Sequence, residues 1–253
     1  MFKKHNLIEI NNEDILLTSF YKMDTFKKVI NLRNSIKDQC IYRAFKDKKL
    51  CVDLKNKNIH FLIKGKKVFI KMITVPKVHK KHLKDIIKGE LDFYFENIEN
   101  LVYCYNVFKE EKDTLEIVVF CSNLKELDMF NNLKEKNNIE GIWFLQFCFL
   151  EYFYESIKEE NFILASIYEK DLYLLACKNK KLVYNHVVNN YENNFKEELN
   201  KFIYKCKELE KEEYKVLYLI NFEDMEFVKE MEKRYKIIKL GPLGRHELIK
   251  KFS

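Results

Sequence analysis

Between residues 162 and 240 the sequence passes through three strand-length apolar runs, a helix, a strand, a helix and a last strand, an order that leaves few folds open. FILASIY, LYLLACK and KLVYNHVV are separated by the polar turns Glu169-Lys170-Asp171 and Asn179-Lys180-Lys181. Phe195, Leu199, Phe202, Ile203 and Cys206 then recur at three- and four-residue spacing, which predicts an amphipathic helix over 191–209. KVLYLI at 215–220 reads as a buried strand, 224–234 as a helix and 235–240 as a strand. Alternation of this kind predicts an α/β fold with a sheet covered by helices.

The preceding residues show a related outline with a module set into it. Strands are expected at 6–10 and 15–21, joined by the turn Asn11-Asn12-Glu13-Asp14, with a third extended run at 26–32. IKDQCIYR at 36–43 leads into a helix-like segment near 50–54. In 65–108, Val68, Ile70 and Met72 alternate with Phe69, Lys71 and Ile73 until Pro76, which has no N–H to continue a ladder. Leu83, Ile86, Ile87, Leu91 and Tyr94 follow at helical spacing, and 101–108 returns to an extended aromatic run. LEIVVFC at 115–121 is an apolar strand. Asn123 and Glu126 have the spacing of a capping box for a helix carrying Leu124, Leu127, Phe130 and Leu133. A strand at 138–145 and an apolar helix at 147–157 complete this half. With five Gly and two Pro there is no flexible linker, so the boundary is the polar junction at 159–161. The expected domains are 1–158, including an inserted subdomain at about 65–112, and 159–253.

Hydrophobic residues at 47% and aromatics at 15% exclude a disordered chain. The +7 formal charge is spread over 46 basic and 39 acidic residues, too diffuse for a dedicated DNA-binding face. Seven cysteines, without a C-x-x-C pair and mostly inside apolar runs, read as reduced core residues of a cytosolic protein. The longest apolar stretch, IWFLQFCFL, is roughly half a membrane span. His79, His82 and Asp85 have metal-ligand spacing, but Lys77, Lys80, Lys81 and Lys84 around them favour a solvated basic face over a cation site. Phe93, Tyr94, Phe95, Tyr103 and Tyr105 read as core aromatics of a sheet and a helix end, and GPLGRHE at 241–247 as a tail turn. No P-loop, G-x-S-x-G or H-E-x-x-H occurs.

Pro76, Leu83, Ile87, Glu90 and Leu91 match the P-x-x-x-x-x-x-L-x-x-x-I-x-x-E-L helix of the type IV pilus assembly protein PilM family, and the chain resembles that family from Leu7 to Leu240. The resemblance implies an actin-like fold of two ribonuclease-H-like halves with a small inserted strand-helix-strand subdomain. It also implies a nucleotide site, from which this sequence departs. LIEINNEDILL stands where the family has G-I-D-I-G, with Glu9 for the aspartate and Asn11 for the glycine. Gln39 replaces a further glycine in IKDQCIYR. At the family's v-D-I-G-x-x-x-T hairpin, Ser166 takes the aspartate position, Tyr168 the glycine and Leu172 the threonine. Asn221 and Phe222 replace the adenosine-binding glycines, and no glycine lies between Gly141 and Gly241. Glycine turns let backbone N–H groups approach phosphates, and the acidic residue organises hydrated Mg²⁺. The expectation is a degenerate site with no catalysis, cofactor or metal.

The resemblance, which extends to the cytoplasmic domain of GspL, further implies a non-catalytic cytoplasmic scaffold of a type IV pilus or type II secretion-like platform. Its partners would be the tail of a PilN-like bitopic membrane protein and the pilus motor ATPase. It would then sit at the inner face of the cell membrane through its partner, with no nucleic acid bound. Phe69, Lys71, Ile73 and Val75, on one face of the strand before Pro76, are the expected docking residues. The same face could instead be a seam between subdomains. Alternatives are an atypical actin-like ATPase and a nucleic-acid-binding protein using the basic face from Lys77 to Lys88.

Overall fold

In the computed structural model, residues 3–10, 14–22, 41–45, 58–65, 68–95, 101–123, 138–192, 194–210, 213–222 and 225–252 are described. The first sheet contains β1 (Lys3–Ile10), β2 (Asp14–Lys22), β3 (Ile41–Phe45), β4 (Asn58–Ile63) and β8 (Asn138–Phe144), in the order β3-β2-β1-β4-β8. The second contains β9 (Phe162–Tyr168), β10 (Asp171–Lys178), β11 (Lys181–Val188), β12 (Val216–Ile220) and β13 (Lys236–Gly241), in the order β11-β10-β9-β12-β13. In both, the first three strands form an antiparallel meander and the last two run parallel to the first. The same ribonuclease-H-like arrangement therefore occurs twice, the α/β fold expected from the element order and the actin-like form of it that the resemblance implies.

Local chemistry explains the hairpins. Tyr168 pairs with Asp171 across the two residues Glu169 and Lys170, and Lys178 pairs with Lys181 across Asn179 and Lys180. Asn179 and Lys180 have φ of 50° and 57°, the left-handed pair that matches the twist of a two-residue hairpin. β9, β10 and β12 are buried on both faces and accordingly read as nearly continuous apolar runs. Over one face lies α3 (Phe195–Glu210), whose Phe195, Leu199, Phe202 and Cys206 join Ile163, Leu174 and Leu217 in the core. α4 (Met225–Met231) adds Val228 and Met231.

The insert is a three-stranded antiparallel sheet, ordered β5-β7-β6, made of β5 (Phe69–Pro76), β6 (Leu101–Glu110) and β7 (Thr114–Asn123). α1 (Lys80–Tyr94) lies on it, with Leu83, Ile87 and Leu91 buried against Val75, Leu115, Ile117 and Val119. The helical stripe thus faces the strands, as its spacing predicts.

Packing divides the chain differently from connectivity. One compact unit comprises Met1–Lys66, Asp128–Ile157 and Pro242–Ser253; the other comprises Lys67–Leu127 and Lys158–Gly241. The insert, expected to belong with 1–158, shares a unit with the second sheet, and the tail from Pro242 belongs with the first. The reason lies in β5 and β11. Val68 N–H donates to Asn185 Oδ1 at 3.1 Å, and Asn185 Nδ2 donates back to the Val68 carbonyl at 2.5 Å. Lys181 Nζ donates to the carbonyls of Val107 and Phe108 at 2.7 and 3.3 Å, while Met72 and Phe108 pack on the second sheet's core.

Four elements differ from the sequence reading, the first being β3, a strand where the sequence suggests only a segment leading into a helix. β4 was not expected, because its burial on both faces gives NIHFLI no alternation. The tail turn at 241–247 instead opens the helix α5 (Arg245–Phe252). The apolar helix expected at 147–157 is α2 (Leu145–Tyr152), ending earlier. The extended run at 26–32, Gln39, the segment at 50–54 and the helix of Leu124, Leu127, Phe130 and Leu133 lie outside the described residues. Asn123, its expected cap, is the last residue of β7.

Ile87→Ala, which empties the centre of the α1 stripe, is expected to cost about 2–5 kcal/mol in urea unfolding. Burial pushes the Cys121 thiol up to about 12 and raises that of Cys177, whereas Cys104 is exposed. Native alkylation read by mass spectrometry should therefore label Cys104 before Cys121, Cys148, Cys177 or Cys206.

Candidate functional site

The parallel register of β1 and β4 pairs Glu9 with Leu62 and Ile10 with Ile63, so Lys64 follows on the same face of the sheet as Glu9. Lys64 N–H donates to the Ile10 carbonyl at 2.7 Å, closing the corner. Its Nζ meets Glu9 Oε2 at 2.9 Å, and Arg245 Nε meets the other oxygen, Oε1, at 2.5 Å. The Glu9 side chain is fully buried, that of Lys64 is 4% exposed and that of Arg245 is 24% exposed. A carboxylate in such surroundings is stable only when paired, and here both oxygens are engaged.

Arg245 is placed by the start of α5. Gly244 N–H donates to Glu247 Oε2 at 2.9 Å, the half of a capping box contributed by the third helical residue. Hydrogen bonds from its own backbone N–H and from Gly244 hold the Glu247 carboxyl below its ordinary range. Further along the β1–β4 pair, His5 Nδ1 and His60 Nε2 lie 3.1 Å apart with the rings stacked, one imidazole N–H donating to the other ring.

At the corresponding strand ends of the second sheet, Ser166 and Tyr168 are both buried within β9. The Ser166 hydroxyl has no hydrogen-bond partner among the described residues. Asn221, just after β12, has φ of 61°, the left-handed conformation that asparagine tolerates best after glycine. Its Nδ2 donates to the Ile167 carbonyl at 2.8 Å, tying the ends of β12 and β9 together. Phe222 turns into the core, its ring edge-on to Phe195 at 4.7 Å. Asn11 lies outside the described residues.

The expected docking face of β5 is in part covered by the insert itself. Val75 is buried under α1 and Ile73 packs on the same cluster. Phe69 meets Phe95 edge-on at 5.0 Å, and the Lys71 ammonium sits 4.3 Å from the centroid of the Tyr94 ring. Ile73 and Val75 therefore face the insert's own helix, while Phe69, 37% exposed, and Lys71 touch its C-terminal end and stay partly open to solvent. The outer face of α1 exposes Lys81, Lys84 and Lys88 but equally Asp85, Glu90 and Asp92. No group of three metal-ligating side chains is found among the described residues.

Sequence reasoning missed Lys64, Asn185 and the role of Arg245. The available signals were a lysine directly after an apolar strand, an asparagine inside one, and a glutamate three residues after Gly244. Lys64→Met should destabilise the first unit by about 3–5 kcal/mol by leaving part of the Glu9 charge uncompensated. Adding Glu9→Gln should recover part of that loss, as read in a double-mutant unfolding cycle.

No protein-family model and no curated protein matches the sequence. Among solved structures, the PilM-PilN type IV pilus biogenesis complex is similar at a TM-score of 0.61 and 11% identity, over 95% of this chain and 88% of that one. The cytoplasmic domain of EpsL, an inner membrane component of the type II secretion system of Vibrio cholerae, is similar at a TM-score of 0.51 and 8% identity, over 98% and 94%. A Bacteroides thetaiotaomicron protein with actin-like ATPase fold and unknown function gives 0.49 at 13% identity, over 95% and 91%. Identities this low speak to fold and not to activity. In fold, this chain is actin-like and resembles the PilM and EpsL structures.

Proposed function

We propose that the chain is a non-catalytic scaffold of a type IV pilus or type II secretion-like assembly platform, with a degenerate nucleotide site. The observation that carries this reading is the Glu9 carboxylate, committed at both oxygens to Lys64 and Arg245. A carboxylate that orients a hydrated Mg²⁺ must offer an oxygen to its water shell, and two cations already hold this one. In the second sheet, Ser166 brings no charge where a further acidic group would stand, and the Asn221 amide is spent on a strand carbonyl. The residues present do not fit Mg·ATP.

With nucleotide chemistry set aside, the role is docking. The similar solved complex pairs PilM with PilN, and the cytoplasmic tail of a PilN-like bitopic membrane protein is the partner this reading assigns, with coupling to the motor ATPase. No described helix is long and apolar enough to cross a membrane, which agrees with attachment through a partner at its inner face. The mixed charge on α1 favours this over nucleic-acid binding, which needs a surface of one sign.

Calorimetric titration with Mg·ATP should give no saturable heat at millimolar ligand, and no phosphate release should follow. Saturable binding would replace this reading with an atypical actin-like ATPase.

A further inference from the structure

The last helix is held to its unit by charge as well as by apolar contact. α5 spans only Arg245–Phe252, a length at which an isolated helix does not persist in water, so its docking decides whether it forms. The chain enters it through Gly241, at φ of 95°, then Pro242, Leu243 and Gly244, a segment that interrupts regular structure. Its anchors are the buried Leu248 and Ile249, with Leu243 just before the helix, and Arg245 on Glu9.

The three charges of the Glu9 cluster are unequal in a way that matters. Glu9 at −1 with Lys64 and Arg245 at +1 each sum to +1, so one cation exceeds what the carboxylate needs. Glu9 and Lys64 are sealed at 0% and 4% exposure, whereas Arg245 is 24% exposed and is the member that water reaches. Loss of Lys64 would leave a buried carboxylate dependent on a helix end. Departure of Arg245 leaves the Glu9–Lys64 pair intact and strands no buried charge.

We infer that α5 is a releasable strap and that the Glu9 end of β1 is a receptor for a guanidinium group, filled in cis by Arg245. Undocking leaves both sheets folded, because the pairing of Glu9 is kept by Lys64. The vacated position then accepts a helical segment of another chain with the same recognition pattern, an arginine followed by leucine and isoleucine three and four residues on. α5 is in this sense autoinhibitory, since it competes with such a segment for one carboxylate oxygen and one apolar seat. This inference shares the Glu9–Arg245 contact with the assembly role proposed above, but its test reads helix exchange and peptide binding rather than nucleotide binding.

The test uses the full chain, as wild type and as Arg245→Ala. Hydrogen exchange read by mass spectrometry should show the α5 amides exchanging at least ten-fold faster in the variant, with β1, β4 and β8 unchanged. A fluorescein-labelled peptide of residues 242–253 should bind Arg245→Ala at least ten-fold more tightly than wild type, whose own strap competes. The same peptide carrying Arg245→Ala should lose at least ten-fold in affinity for the variant chain. Unchanged exchange in α5, exchange rising in step in β1, β4 and β8, or a wild-type peptide that fails to bind the variant overturns the inference.

Discussion

The parallel pairing of β1 with β4 is the contact on which the first sheet depends. It joins residues 55 positions apart, His5 with His60 and Glu9 with Lys64, and it puts both pairs on one face of two neighbouring strands. β4 in turn carries β8, so the parallel half of the sheet exists only once β4 is in place. Polar side chains on parallel strands buried on both faces must find partners inside the protein, and an imidazole couple and an ion pair do so here.

The second sheet solves a different problem, that of an edge. β11 is its outer strand, and an open edge presents unpaired peptide groups. Asn185 answers with a side chain that imitates a peptide, accepting from the N–H of Val68 and donating to its carbonyl. Lys181 covers two further carbonyls on β6. These polar contacts, with Met72 and Phe108 in the apolar core, bind the insert to the sheet that follows it in sequence rather than to the one that contains it topologically. One face of β5 goes to α1 and Met72 on the other goes to the second sheet's core, so both faces of this edge strand make contacts.

Two strand ends, one in each sheet, differ in what fills them. In the first sheet, Lys64 and Arg245 bring positive charge to the buried Glu9 carboxylate. In the second, Asn221 keeps the left-handed backbone that glycine would supply but adds a side chain, which closes on Ile167. Backbone geometry is thus retained at that turn while the space that glycine would leave is used for an internal hydrogen bond. The fold persists because sheets are stabilised by burial and strand pairing, neither of which requires a ligand.

Much of the architecture was legible in the sequence because periodicity is a local property. The α1 stripe, the two short hairpin turns of the second sheet and the order of its strands and helices each follow from residues within a few positions of one another. The same local reading placed Phe69, Lys71, Ile73 and Val75 correctly on one face of a strand. It could not say which face meets the helix, since a strand with apolar residues on both sides has no preferred one. β4 escaped for the related reason that burial on both faces erases alternation. Charge partners were beyond reach altogether. Glu9, Lys64 and Arg245 come from a strand end, a strand exit and a helix start, and Arg245 lies 236 residues from Glu9. By itself the sequence determined most of the strands and helices, because side-chain spacing along the backbone is enough wherever one face is buried and the other is not. Only the tertiary structure decided which carboxylate is held by which cation and which unit the insert joins, because those depend on contacts between segments whose separation along the chain carries no periodic signal.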